Sequence, residues 1–222
     1  YSVAWGLAMG IMALVARRTG EKNFAGASEV AAQGIIIAIM FSIVISIVGF
    51  IFPKEILSFM CGSEKLVAEN YRFTQIMLTG NIVIMLLFVN NAIFRGAGDA
   101  SIAMRTLLIA NAINIILDPL LIFGIGPFPK MGVLGAAVAT TIGRSVGVLY
   151  QFYHLFNGKG IIKLVRKHFK ANMVIIRSII NTSLGGMFQF IIGSCSWIFL
   201  AKIIAESGDS VTSGYITAIR IC

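Results

Sequence analysis

One aspartate, Asp118, stands alone in the run 106–129, which is otherwise free of charge and largely apolar. Asn114 lies one turn before it and Asn111 about one turn before that. Spacings of i, i+3 and i+7 put the three side chains on one face of a helix. Pro119 follows the acid and has no N–H to donate, so it weakens the helix where the acid sits. An acid at the centre of a lipid-spanning helix costs about 2.5–3.5 kcal/mol on insertion scales, and such a residue normally faces an interior or a water-filled cavity. Polar groups beside loosened backbone at membrane depth point to an ion or proton site. The plainer alternative is a structural network in which Asp118 only hydrogen-bonds neighbouring helices.

The elements that must carry these residues are membrane helices. The chain has 222 residues, of which 58% are hydrophobic and 12% charged, and its mean hydropathy is +0.91. A helical span needs about 20 apolar residues. The runs 30–52, 73–94 and 178–201 carry no charge, and 131–156 is apolar apart from Arg144 and His154. The run 1–16 is also uncharged but is short for a full span. We read helices over 1–16 (the end of one), 30–52, 72–94, 103–123, 133–156 and 173–205, with a mixed-charge connection from 53 to 71. A turn at 207–210 then leads into a further helix. A Gly/Pro hairpin at 124–129 joins the fourth and fifth helices. The fold class expected is therefore an all-α polytopic membrane protein. Tyr1 opens inside an apolar segment and Cys222 closes inside another. We expect the protein to continue at both ends, with at least one helix before Tyr1.

The net charge of +9 invites a nucleic-acid reading, but its distribution opposes one. Basic residues gather in the short loops 17–29, 95–105 and 157–172, which the positive-inside rule places on the cytoplasmic side. Within 157–172, Ile161, Ile162, Val165 and Phe169 can share a helical face opposite Lys163, Arg166, Lys167 and Lys170. The segment reads either as a short amphipathic helix on the inner leaflet or as an ordinary basic loop. Cys61, Cys195 and Cys222 are scattered and suggest neither a disulfide framework nor a metal site. His154 and His168 sit at the cytoplasmic edge, away from Asp118, and Gly96-Ala97-Gly98 has no strand before it to make a phosphate loop. Enzyme chemistry is not supplied, and no cofactor is expected.

Depth along the hairpin adds partners for Asp118. The acid lies six residues before Gly124 and Thr140 six residues after Leu134, so both sit about 9 Å below the outer turn. The small residues at 135–139 let the two helices approach closely. Asn114, Asp118 and Thr140 would offer an amide, a carboxylate and a hydroxyl to one hard cation, Na⁺ for example, or the carboxylate would hold a proton. Arg144, one turn deeper, reads as a structural counter-charge or as a snorkelling side chain. Asn90 and Asn91 lie too deep to share that site and would line a cavity floor or cap the helix end. Gly6-x3-Gly10 and Gly143-x3-Gly147 fit the small-xxx-small packing pattern.

Four segments in order, ALVARRTG at 13–20, FRGAGD at 94–99, NIILDP at 114–119 and GVLGAAVAT at 132–140, resemble the multidrug and toxic compound extrusion (MATE) transporters, in their DinF-like prokaryotic branch. The resemblance implies twelve helices in two six-helix lobes related by a pseudo-two-fold axis. Residues 1–156 would hold helices two to six of the first lobe. Residues 157–172 would be a basic cytoplasmic linker between lobes, and 173–222 would begin the second lobe with helix seven and part of helix eight. It also implies export of organic cations or drugs in exchange for H⁺ or Na⁺, in a bacterial inner membrane and as a monomer. The family's first-lobe ion site maps onto Asn114, Asp118 and Thr140, with Asn91, or else Asn90, lining the cavity and Asn111 beside it. Its remaining acid lies on a first helix that this chain does not include. Two rivals stay open: a flippase for lipid-linked oligosaccharides from the same superfamily, which would want a more basic cavity, and a non-transporting membrane scaffold, which would need no buried acid.

Overall fold

The computed structural model describes residues 2–60, 64–127, 129–157 and 160–206. Their regular structure is helical: α1 Ser2–Gly20, α2 Phe24–Ile51, α3 Pro53–Met60, α4 Glu64–Thr79, α5 Asn81–Gly96, α6 Ala100–Phe123, α7 Val133–Phe156 and α8 Met173–Glu206. Four stretches, α2, α6, α7 and Met173–Ser196 of α8, are long and apolar enough to cross a membrane, and the bent pair α4–α5 adds a fifth. Large apolar side chains such as Met40, Ile115, Ile116 and Leu149 stay exposed on their outer faces, as helices solvated by lipid require. The chain is a multi-pass membrane protein of all-α class.

The core forms around α1. Leu7, Ile11 and Val15, spaced by one turn, are fully buried and meet Val30, Ala31 and Ile35 of α2 and Met85, Val89 and Ile93 of α5. Two glycine seams bring backbones together. Along α1, a Cβ at Gly6 would collide with the backbone and side chain of Met187, and one at Gly10 would sit 2.8 Å from the Ser183 nitrogen of α8. Along α7, a Cβ at Gly135 would lie 2.5 Å from the Leu121 carbonyl oxygen, one at Gly143 2.8 Å from the Ala110 carbonyl oxygen, and one at Gly147 3.1 Å from Thr106 Cγ2. Both small-xxx-small patterns are therefore contact surfaces. The hairpin between α6 and α7 closes through Met131 N–H to Leu121 O (3.0 Å) and Gly132 N–H to Ile122 O (3.2 Å). Gly124 ends α6 at φ +71°, a conformation that costs glycine little.

Four expectations change. The single helix expected over 72–94 is two helices bent by 42° at Gly80. Glycine is the weakest helix former after proline, and the Ser46 hydroxyl on α2 donates to the carbonyls of Thr79 (3.1 Å) and Leu78 (3.4 Å) beside the break. A neighbouring hydroxyl that takes up freed backbone groups is how a membrane interior tolerates such a break. The connection expected over 53–71 is itself mostly helical, in α3 and the first half of α4. The 1–16 helix continues through the basic pair to Gly20. The amphipathic helix over 157–172 does not form: the described part of that segment is extended, apart from a 3-10 turn at Arg166–Phe169. Its burial alternates, with Ile162 and Leu164 buried while Ile161 and Val165 are exposed, which is the period of an extended chain. The helix expected beyond residue 207 lies outside the described residues.

Gln33 of α2 holds that extended segment in place. Its Nε2 donates to the carbonyls of His168 (3.0 Å) and Lys170 (2.8 Å), and its Oε1 accepts from the Asn172 N–H at 3.3 Å. Ser28 Oγ accepts from the Lys163 N–H at 3.1 Å. The amide is buried and spends its hydrogen bonds on an irregular backbone that has no ladder of its own. Gln33→Leu is expected to free the segment, so that trypsin cleaves at 163–170 several-fold faster in folded protein; an unchanged cleavage rate would refute the clamp. Gly10→Leu is expected to push α1 from α8 at an overpacking cost of about 1–3 kcal/mol, read as a lower unfolding temperature in detergent.

Candidate functional site

Asn114 sits on the α6–α7 seam itself. A Cβ added at Gly143 would strike its Oδ1. The seam is antiparallel and sets the register: Leu121 is level with Gly135 and Asn114 with Gly143. Thr140 therefore lies opposite Leu117, between Asn114 and Asp118 in depth. Asp118 and Thr140 are each one turn from the Asn114–Gly143 contact, and all three are half-buried. The helix runs on through Pro119 to Phe123, so the missing proline N–H leaves the Ile115 carbonyl without its helical donor beside the acid.

Two further polar residues reach this depth. α5 runs parallel to α7, with Gly80 beside Thr141, Leu87 beside Gly147 and Asn91 bonded to Gln151. Asn81, the first residue of α5, is thus level with Thr141, and Arg144 is one turn below it. Asn81 Nδ2, Asn114 Oδ1, Asp118 Oδ1 and Arg144 Nη1 are all buried and have no hydrogen-bond partner. Two are donors and two are acceptors, drawn from three helices within about 8 Å of depth, with Asp118 outermost and Arg144 deepest. Several hydroxyl side chains elsewhere in the spans do find partners, although Asn90, Gln151 Oε1 and Ser183 Oγ do not. Thr106, Thr141, Ser145 and Thr182 bond back to carbonyls of their own helices at 2.7–2.9 Å.

Asn90 and Asn91 stay apart from the cluster. The Gln151 amide donates to Asn91 Oδ1 at 2.8 Å, and Gln151 lies about 16 Å along α7 from Thr140 at 1.5 Å per residue. Asn91 thus ties α5 to α7 in the basic half of the molecule, while Asn90 beside it is fully buried with both amide atoms unpartnered. Asn111 is exposed, one turn from Asn114 towards that same half. Asn81 escaped the sequence reading because the run 72–94 looks like one continuous helix. The Gly80-Asn81 pair in mid-run was the signal for it. Gln33 and Gln151, amides inside apolar helices, gave a comparable signal.

The MatE family model matches residues 1–120. The probable multidrug resistance protein YoeA of Bacillus subtilis strain 168 is 26% identical over 95% of this chain and 46% of its own length. The FAD transporter of Shewanella oneidensis is 30% identical over 69% of this chain and 34% of its own. A MOP superfamily transporter from Pyrococcus furiosus superposes with a TM-score of 0.89 at 27% identity, covering 99% of this chain and 48% of that one. The chain thus spans about half the length of the Bacillus protein it matches. With a family model matching more than half of its residues and a solved transporter aligned along almost all of them, the chain belongs to the MatE family.

Proposed function

We propose that this chain is the first part of a secondary active transporter that exports organic cations by antiport with H⁺ or Na⁺. Residues 1–156 form helices two to six of its first lobe, 157–172 the cytoplasmic linker, and 173–222 the start of the second lobe. The protein works as a monomer in a bacterial inner membrane, with no enzymatic step and no cofactor. One observation carries the reading: four buried, unpartnered polar atoms on Asn81, Asn114, Asp118 and Arg144 lie on three neighbouring helices within about 8 Å of depth. Buried polar groups in membrane helices normally find partners, so this cluster is suited to a partner that comes and goes.

Asp118 supplies the negative charge, and Asn114 and Thr140 supply neutral oxygens. Among the described residues no three His, Cys, Asp or Glu side chains gather, so a cation here meets one carboxylate and weaker ligands, an arrangement that favours release. Arg144 is a resident positive charge about 8 Å deeper than the acid, on the basic side of the site. A single carboxylate cannot neutralise a coupling ion and a cationic substrate at once, so occupancy by one favours departure of the other. The backbone loosened at Pro119 lets the outer end of α6 bend as the acid's charge changes.

The intact protein in proteoliposomes tests this, with a pH gradient and a Na⁺ gradient imposed separately and uptake of a fluorescent organic cation followed. Uptake driven by one gradient is expected, falling to the level of protein-free vesicles in Asp118→Asn. A mutant that transports at the wild-type rate would sink the assignment of Asp118. The Shewanella relative is named for FAD, so the same vesicles are assayed with FAD; gradient-driven movement of FAD alone would keep the antiport and replace the substrate class.

A further inference from the structure

The extended segment after α7 makes a second site, independent of the transport reading. Two cavities flank it where α2 and α8 begin. The first, about 410 Å³, has an apolar wall of Phe24, Ile161 and Val165 and a polar end at Lys163 and His168. The second, about 340 Å³, lies across His168 and is lined by Lys167, Lys170, Glu29 and Gln33 among others. His168 Nδ1 is buried without a partner in the wall the two cavities share. The walls are fixed rather than loose, because Ser28 holds the Lys163 N–H and Gln33 holds the backbone at 168–172.

We propose that this is a binding site for one anionic phospholipid of the leaflet on the basic side of the membrane. Phe24, Ile161 and Val165 are large, exposed and apolar at the level where membrane helices start, and they offer a groove for the first part of an acyl chain. Lys163 stands at its polar end, where a lipid phosphate sits, with His168 in the wall beside it, and Lys167 and Lys170 continue the positive charge. Glu29 opposes one of these charges, leaving an excess that complements an anion. A soluble phosphate would leave the apolar wall uncovered, and a zwitterionic headgroup would leave the lysines unbalanced. Basic pockets at helix ends on this side of a membrane are suited to anionic headgroups.

The intact protein is placed in nanodiscs of phosphatidylcholine with increasing phosphatidylglycerol, and retained lipids are counted by native mass spectrometry. One phosphatidylglycerol retained in preference to phosphatidylcholine is expected. Lys163→Gln and Lys167→Gln should each weaken its retention about fivefold, the worth of one lysine near an anionic surface. Val165→Asp should weaken it without touching the lysines. These exposed substitutions leave the Gln33 clamp intact, and tryptic cleavage of the segment checks that. Equal retention by wild type and the lysine variants, or equal retention of both lipids, overturns the proposal. Displacement by glycerol phosphate at the same concentration as lipid overturns the acyl-chain half and leaves only a headgroup site.

Discussion

Lipid solvates an apolar helix about as well as another helix does, so the helices of a membrane protein gain little by hydrophobic attraction to one another. What holds them is close approach, and in this chain close approach happens at glycine. Gly135, Gly143 and Gly147 let α7 lie on the backbone of α6, while Gly6 and Gly10 do the same for α1 against α8. The register of these seams decides which side chains share a depth. Asn114 is on the α6–α7 seam because Gly143 leaves room for it, and Thr140 comes level with the acid because of that same register.

Polar side chains in the spans fall into two groups. Gln33, Ser46 and the Asn91–Gln151 pair bond to irregular backbone or to each other, and their role is architectural. Asn81, Asn114, Asp118 and Arg144 each keep a buried atom unpartnered. An unsatisfied polar atom in a low-dielectric interior costs more than a bonded one gains. The chain accepts that cost at Asn90, Gln151 and Ser183 as well, but around Asp118 four such residues from three helices come within about 8 Å of depth.

Much of this was legible beforehand for a simple reason: hydrophobic runs of span length have few alternatives. The hairpin at 124–129, the shared depth of Asp118 and Thr140 and the glycine spacings all follow from counting residues along helices of fixed rise. What escaped the count was departure from helix. Gly80 in an unbroken apolar run does not announce a bend, because a break needs Ser46 on another helix to donate to the freed carbonyls. The 157–172 segment carries a pattern that suits either a helix or a strand. Gln33, far away in sequence, decides the matter by bonding to carbonyls and an N–H that the irregular backbone at 168–172 leaves free.

The seam between α1 and α8 has a mechanical side. Interlocked side chains behave like teeth, and one helix must climb over them to shift along another. Gly6 and Gly10 are the gaps into which the Met187 and Ser183 side chains fit, and Gly186 meets the backbone of Gly6. A crossing of that kind resists sliding as well as squeezing, so α8 is keyed to α1 and the two shift as one piece.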